Sequence, residues 1–197
     1  MSSTAVQATT AATRRHLSER QARTVHLLTE AAVAELVDRG FAGLTVRGVA
    51  RRAGVAPATA YTYFGSKEHL VAEVFWRRLD GQPPRDHSVG SALDRAAAVV
   101  LDFALVVADE TELAAACTVA LLADDAEVRD LRARIGLEMH RRLTAALGED
   151  ADPVVLRALE LATSGALLQV GTGHLAYDEL PGLLTAVTAL VLGGSAS

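Results

Sequence analysis

Residues 45–64, "TVRGVARRAGVAPATAYTYF", gather cationic and hydroxyl side chains at a spacing that suits a nucleic-acid backbone. Val46, Val49, Ala50 and Ala53 recur at helical spacing and form one apolar face. Arg47, Arg51 and Arg52 fall on the other side of that short helix. Gly54 stops it, since glycine alone enters the left-handed region freely. Pro57 then opens the next helix at its first position, where a missing N–H costs nothing. Helix, glycine turn, short helix, with apolar residues inward and Arg, Thr and Tyr outward, describes a helix-turn-helix. The second of the two helices is the one that enters a major groove. Its Ala58, Thr59 and Thr62 suit thymine methyls and single hydrogen bonds to bases. Thr45, Arg47, Tyr61, Tyr63 and Lys67 suit phosphates, as hydroxyl or cationic donors. Val46 and Pro57, at the first positions of the two helices, complete the DNA-binding candidates. Tyr61 is open between a core position and a surface one. Arg52 is open between a solvated face and a DNA contact. Arg14 and Arg15 read as a flank or as an arm reaching a minor groove.

The surrounding elements must hold this pair of helices in place. Ala22, Val25, Leu28, Ala32 and Leu36 mark the apolar face of a first helix over 18–39, which Gly40 ends. Phe41 and Leu44 plug the core behind the pair, and Thr45 caps the second helix. Ser66 caps a fourth helix, whose first free N–H groups lie beside Lys67. Its apolar run is Leu70, Val71, Val74 and Phe75, and Gly81, Pro83 and Pro84 end it. Five more helices follow, over 88–109, 112–123, 125–147, 153–173 and 179–192. The segment 113–123 is apolar or small throughout and is expected to be buried on all sides. Residues 1–13, uncharged and rich in Ala, Thr and Ser, read as a disordered tail.

Composition sets the class. The chain has 197 residues, half of them hydrophobic and only 4% aromatic, a mix that favours helix packed on helix. The fold expected is all-α: a helix-turn-helix domain over 14–65, then a helical domain over 66–197, about nine helices in all. The formal net charge of -5 hides a split. Residues 14–80 carry eleven Lys/Arg against seven Asp/Glu, whereas residues 81–197 carry eight against seventeen. A basic amino-terminal module that meets an anion, followed by an acidic remainder, is the simplest reading. The single cysteine, Cys117, excludes an intramolecular disulfide. No basic leader and no uncharged apolar run of spanning length is evident, so a cytoplasmic protein with no membrane partner is expected.

With these residues in view, the stretch from Gly43 to Leu70, "GLTVRGVARRAGVAPATAYTYFGSKEHL", resembles the DNA-binding core of the tetracycline-repressor-like (TetR) family of bacterial transcription regulators. The resemblance rests on Thr-Val before the second helix, Ala-Gly-Val at the turn, Tyr-x-x-Phe closing the third and Ser-Lys-Glu opening the fourth. With the preceding helix it covers about residues 18–80. It implies a homodimer on a palindromic double-stranded operator, a ligand pocket in the carboxyl-terminal domain, and repression relieved by a small molecule. Two positions depart from the family pattern. Ala56 stands where a capping Ser is frequent, and Ala60 where a larger aliphatic is common.

In the second half, Phe75, Trp76, Phe103, Cys117, Leu121, Leu168, Met139, His140, Gln169 and His174 are the candidates for lining a cavity. Gln169 and His174 stand out, because polar groups within "GALLQVGTGHL" need partners if buried. Cys117 in an apolar helix reads first as a small hydrophobe. The apolar composition favours a hydrophobic ligand. Leu156, Leu159, Thr163, Leu167 and Val170 make a stripe, Gly165 allows close approach, and Leu183 and Val187 belong to a second apolar face. Two such helices per subunit would build a four-helix dimer seam. Histidine spacing suggests no metal, and no cofactor is implied. No nucleophile–base pair or carboxylate pair marks an enzyme. The remaining alternative is a helical carrier of small molecules without DNA binding, against which Arg47, Tyr61 and Lys67 count.

Overall fold

The computed structural model describes residues 3–86 and 89–194, with side chains from Glu19 onward. Among these residues all regular structure is helical: α1 (Ser3–Gly43), α2 (Val46–Arg52), α3 (Pro57–Tyr63), α4 (Lys67–Asp80), α5 (Ala92–Ala104), α6 (Thr111–Leu121), α7 (Ala126–Leu147), α8 (Pro153–Gly171) and α9 (Leu180–Gly194). A single 3-10 turn, Tyr177–Glu179, leads into α9. The chain divides into two compact units, residues 1–70 and 71–197, and the division falls inside α4.

In the first unit α1 is helical from Ser3, across most of the segment whose composition reads as a disordered tail. Its alanines favour helix locally. The side chains of that segment, with Arg14 and Arg15, lie outside the described residues. The expected break at Gly40 is present: its φ of 64° is left-handed, and the chain turns there before Leu44. Leu28, Ala32 and Leu36 are fully buried, as are Leu44 and, on α2, Val49 and Ala50. Ala22 is exposed, so the working apolar face begins further along the helix than its periodicity suggests. Burying each such leucine contributes roughly 1.5–3 kcal/mol.

The second unit is built around α5, which packs against α7, α8 and α9. Ala96, Val99, Val100 and Phe103 supply its buried face. Ser91 and Asp94 start it with a reciprocal capping box. It stops at Ala104, short of the expected 109, and residues 105–110 close as turns. Asp125 caps α7, and Asp152 caps α8 just ahead of Pro153. Arg78 near the end of α4 pairs with Glu110 at 2.8 Å and fixes the entry to α6. Helix α6 is not buried on all sides. Leu113, Ala114, Ala116, Cys117 and Ala120 face inward, but Val119 and Leu122 are 54% and 66% exposed. A helix only eleven residues long on the flank of the bundle has neighbours on one face, whatever its composition.

Helix α8 has the length and mean hydropathy, 1.3 over its window, of a membrane span. It nevertheless carries Arg157 and Glu160, and Leu156, Leu159 and Thr163 bury one of its faces within the unit.

Candidate nucleic-acid interface and ligand cavity

Helix α2 is fixed from both ends. The Thr45 hydroxyl accepts the Gly48 N–H at 3.0 Å, which satisfies one of the unpaired donors of the first turn. Gly54, with φ of 66°, reverses the chain after Ala53. Behind α2, Glu35 of α1 is 3% exposed. Its carboxylate receives Arg52 at 3.0 Å and Arg39 at 3.1 Å. Arg52 also bonds Asp38, and that bond, followed by the one to Glu35, raises its already high pKa. Arg52 is therefore a structural strut between α1 and α2. Among the described residues Arg47 has no acidic partner and stands exposed beside Arg51. A basic surface with uncommitted guanidinium groups is what phosphate binding needs.

Helix α3 projects from this base. Only Ala60 among its seven residues is buried. The expected missing cap is real: Ala56 makes no side-chain bond, and Pro57 takes the first position. Pro57, Ala58, Thr59, Tyr61 and Thr62 are exposed, and Tyr63 is partly covered. Tyr61, at 52% exposure, is a surface residue. The Thr62 hydroxyl donates to the Ala58 carbonyl at 3.0 Å at the exposed surface of the helix. Two candidates differ from expectation. Val46 is only 5% exposed, because the inward face of α2 claims its side chain. Lys67 donates to the Phe41 carbonyl at 2.9 Å and lies 4.3 Å from the Phe41 ring centre. It closes the end of α1 as well as offering charge, and two of its three N–H donors remain. Ser66 caps α4 by accepting the His69 N–H at 3.0 Å.

The second unit holds a half-open cavity of about 620 Å³. Phe75, Phe103, Cys117, Leu121, Leu168, Met139 and His140 line it as expected. Trp76, Gln169 and His174 do not. Trp76 packs instead against Ala72, Val128 and Leu131, with the Arg134 guanidinium 4.7 Å from its ring. Gln169 and His174 are exposed, and the His174 ring pairs with the Thr172 hydroxyl at 3.0 Å beyond the end of α8. Their polarity marks a helix end rather than a buried site. Burial pushes the Cys117 thiol well above its ordinary range, so it stays protonated and apolar.

Sequence reasoning missed most of the polar wall: Thr118, Arg132, Arg157, Glu160, Ser164 and Tyr177. Two signals were available. Arg132, Ile135, Gly136, Met139 and His140 repeat at helical spacing on α7, and Arg157, Glu160, Leu161, Ser164 and Leu168 do so on α8. Glu160 joins the two helices, receiving His140 Nδ1 at 2.8 Å and Arg157 at 3.1 Å. Burial also raises the pKa of the half-buried Tyr177.

The residues expected at a dimer seam divide. Leu156, Leu159 and Thr163 are at most 5% exposed, because α8 turns that stripe toward its own unit. Gly165, Leu167 and Val187 are partly covered, and Leu167 faces the cavity. Leu183 remains outward at 43% exposure. Leu161 and Leu168 of α8 are also partly outward, at the open side of the cavity, while Val154 of α8 and Leu183 and Leu190 of α9 are exposed away from it.

An exposed, weakly anchored helix across a glycine turn from unpaired arginines defines a helix-turn-helix DNA-binding protein. Residues 28–74 match the model of bacterial regulatory proteins of the tetR family. The chain is 48% identical over 181 residues to the uncharacterized HTH-type transcriptional regulator Rv0767c of Mycobacterium tuberculosis, covering 90% of this chain and 84% of that one. In overall structure it is similar to a TetR transcriptional regulator from Rhodococcus sp. RHA1, with TM-score 0.70, 24% identity, and 88% and 97% of the two chains covered. It is also similar to FadR of Bacillus subtilis, solved in complex with stearoyl-CoA, with TM-score 0.58, 22% identity, and 86% and 98% covered. The protein belongs to the TetR family and is a transcriptional regulator.

Proposed function

We propose that this regulator is a cytoplasmic repressor released from operator DNA by a small hydrophobic ligand held in the cavity of its second unit. The observation that carries this reading is the presence, in one chain, of an exposed helix α3 beside the acid-free Arg47 of α2, and of a half-open, largely apolar 620 Å³ cavity. That volume lies within the ordinary range for one drug-sized ligand. The stearoyl-CoA complex of Bacillus subtilis FadR supports a ligand-binding use for the same kind of fold. Helix α4 carries both Lys67 and the cavity residue Phe75. A ligand that binds two arrangements of this helix with different affinity shifts their populations, and operator affinity with them.

The working form in this reading is a homodimer on a palindromic operator. The exposed Val154 of α8 and the Leu183–Leu190 pair of α9 support it, since apolar residues at seven-residue spacing suit a helical seam. Residues 14–65 then serve as the DNA-binding domain, and residues 66–197 bind ligand and dimerise.

Fluorescence anisotropy on DNA from upstream of the protein's own gene, at several salt concentrations, tests the reading. Tight, salt-sensitive binding that Arg47→Ala weakens supports it. Binding to no genomic fragment above the level of random DNA would end it.

A further inference from the structure

One side chain of α7 holds the end of α4. The last carbonyls of a helix have no partner within it and need one from elsewhere. At the end of α4 the Leu79 carbonyl receives Arg142 Nη2 at 2.8 Å. Arg142 Nη1 donates to Gln82 Oε1 at 2.7 Å, just past the helix. The Gln82 side-chain amide in turn donates to the Asp102 carbonyl of α5 at 3.1 Å. On its own helix Arg142 donates from Nε to Glu138 Oε1 at 2.6 Å, and these two side chains are 15% and 14% exposed. A cation at a helix carboxyl end complements the helix dipole, and pairs so withdrawn from water are little screened.

The same guanidinium lies 5.4 Å from the centre of the Phe103 ring, within the range of a cation–π contact. Phe103 lines the cavity, and so does Met139, three residues before Arg142 on α7. On α4 the cavity residue Phe75 stands one turn ahead of Leu79. The cavity wall and the end of α4 therefore meet at Arg142. A second clamp on α4 provides the contrast. Arg78 bonds Glu110 at 2.8 Å, and neither of these residues lines the cavity.

We infer that, within the ligand-binding reading of the cavity above, Arg142 is the positioning residue that couples the Phe103 wall to the last turn of α4. A ligand body that displaces the Phe103 ring displaces the guanidinium beside it, and the bonds to Leu79 and Gln82 follow. Lys67, a candidate phosphate donor, opens the same helix.

The test uses the full-length protein, a genomic operator fragment and Nile red, an uncharged probe that fluoresces in apolar surroundings. The dissociation constant of Nile red is measured with and without saturating operator. Coupling is reciprocal, so the ratio of the two constants reports how strongly cavity and operator sense each other. The wild-type ratio is expected to lie between about five-fold and a hundred-fold. Arg142→Met keeps an apolar stem and drops the bonds. It is expected to bring the ratio near one while Nile red and operator each still bind. Arg142→Lys, with a charge but no planar fork, is expected to fall between the two. Gln82→Met removes one acceptor on the α4 side, leaves Arg142 and Phe103 in place, and is expected to lower the ratio in part. It carries the test should Arg142→Met fail to fold. Arg78→Met is expected to keep the full ratio. An undiminished ratio in Arg142→Met or Gln82→Met, or an equal loss in Arg78→Met, overturns the inference and leaves ligand release standing. Loss of either binding in a folded Arg142→Met reduces the residue to a structural strut and overturns the inference too. A ratio of one in the wild type, or no binding of Nile red to it, sinks the release reading itself, and the coupling residue with it.

Discussion

Glu35 of α1 and Arg52 of α2 are 3.0 Å apart, and the carboxylate is almost wholly withdrawn from solvent while the guanidinium is about a third exposed. The pair joins the two helices that carry the turn, and Arg39 supplies the second partner of the acid at 3.1 Å. Glu35→Ala removes the acceptor of both arginines and leaves a gap beside Gly48. Stability is expected to fall by about 1–3 kcal/mol, the usual cost of losing a buried, charge-assisted bond. Equilibrium urea unfolding measures it. An unchanged midpoint would show that the strut is dispensable.

Arg47 and Lys67 are expected to separate in their effects. Arg47→Ala removes an exposed, acid-free guanidinium, so operator affinity drops and the slope of log affinity against log salt falls by about one, with melting temperature unchanged. Lys67→Ala also breaks the bond to the Phe41 carbonyl, so it lowers both affinity and melting temperature. Equal thermal behaviour of the two variants would contradict the dual role of Lys67.

Ala56 leaves the first turn of α3 without a side-chain acceptor. Ala56→Ser restores one and is expected to raise stability by about 0.5–1.5 kcal/mol. Thermal unfolding checks this, and a destabilised variant would mean that the hydroxyl does not reach the first-turn N–H groups.

Gly171 on α8 abuts Thr118 on α6: a Cβ there would sit 2.0 Å from Thr118 Oγ1 and 2.5 Å from its Cβ. Gly171→Ala is expected to cost at least about 1–3 kcal/mol through overpacking. Adding Thr118→Gly should recover most of the loss, and Thr118→Ala only part of it, because its Cβ still clashes. Equal recovery by both would place the strain elsewhere. A double-mutant cycle in urea gives the numbers.

Glu138 is held below the ordinary carboxylate range, first by its bond from Arg141 and then by that from Arg142. A depressed folded pKa contributes stability above the unfolded value, which is lost as pH falls through the folded one. Wild-type stability should therefore decline below the normal carboxylate range more steeply than that of Glu138→Gln. Parallel pH profiles from urea titrations would refute the assignment.

Much of the first unit was legible because local chemistry decides it. Thr45, Gly54, Pro57 and Ser66 each act on their own turn, and each does what its residue type requires. Val46 and Lys67 were harder, since the first depends on which face of α2 meets α1, and the second on a carbonyl twenty-six residues away. In the second unit the helix limits followed from caps at Asp125 and Asp152. The polar wall did not, because Glu160 finds His140 only once α7 and α8 lie side by side. Gln169 and His174 misled for the same reason: polarity within an apolar run signals a site only if the run is buried there. Leu156, Leu159 and Thr163 form a true apolar stripe, but periodicity does not say whether a stripe faces its own core or a second chain.

The slender anchoring of α3 has a consequence for how such a regulator changes its target. One alanine, Ala60, ties the helix to the core. Pro57, Ala58, Thr59, Tyr61 and Thr62 are free of packing duties. Under the proposed reading, substitutions there rewrite the DNA word that is read while the framework keeps its stability. Under that reading the recognition surface drifts, or is engineered, independently of the cavity in the second unit.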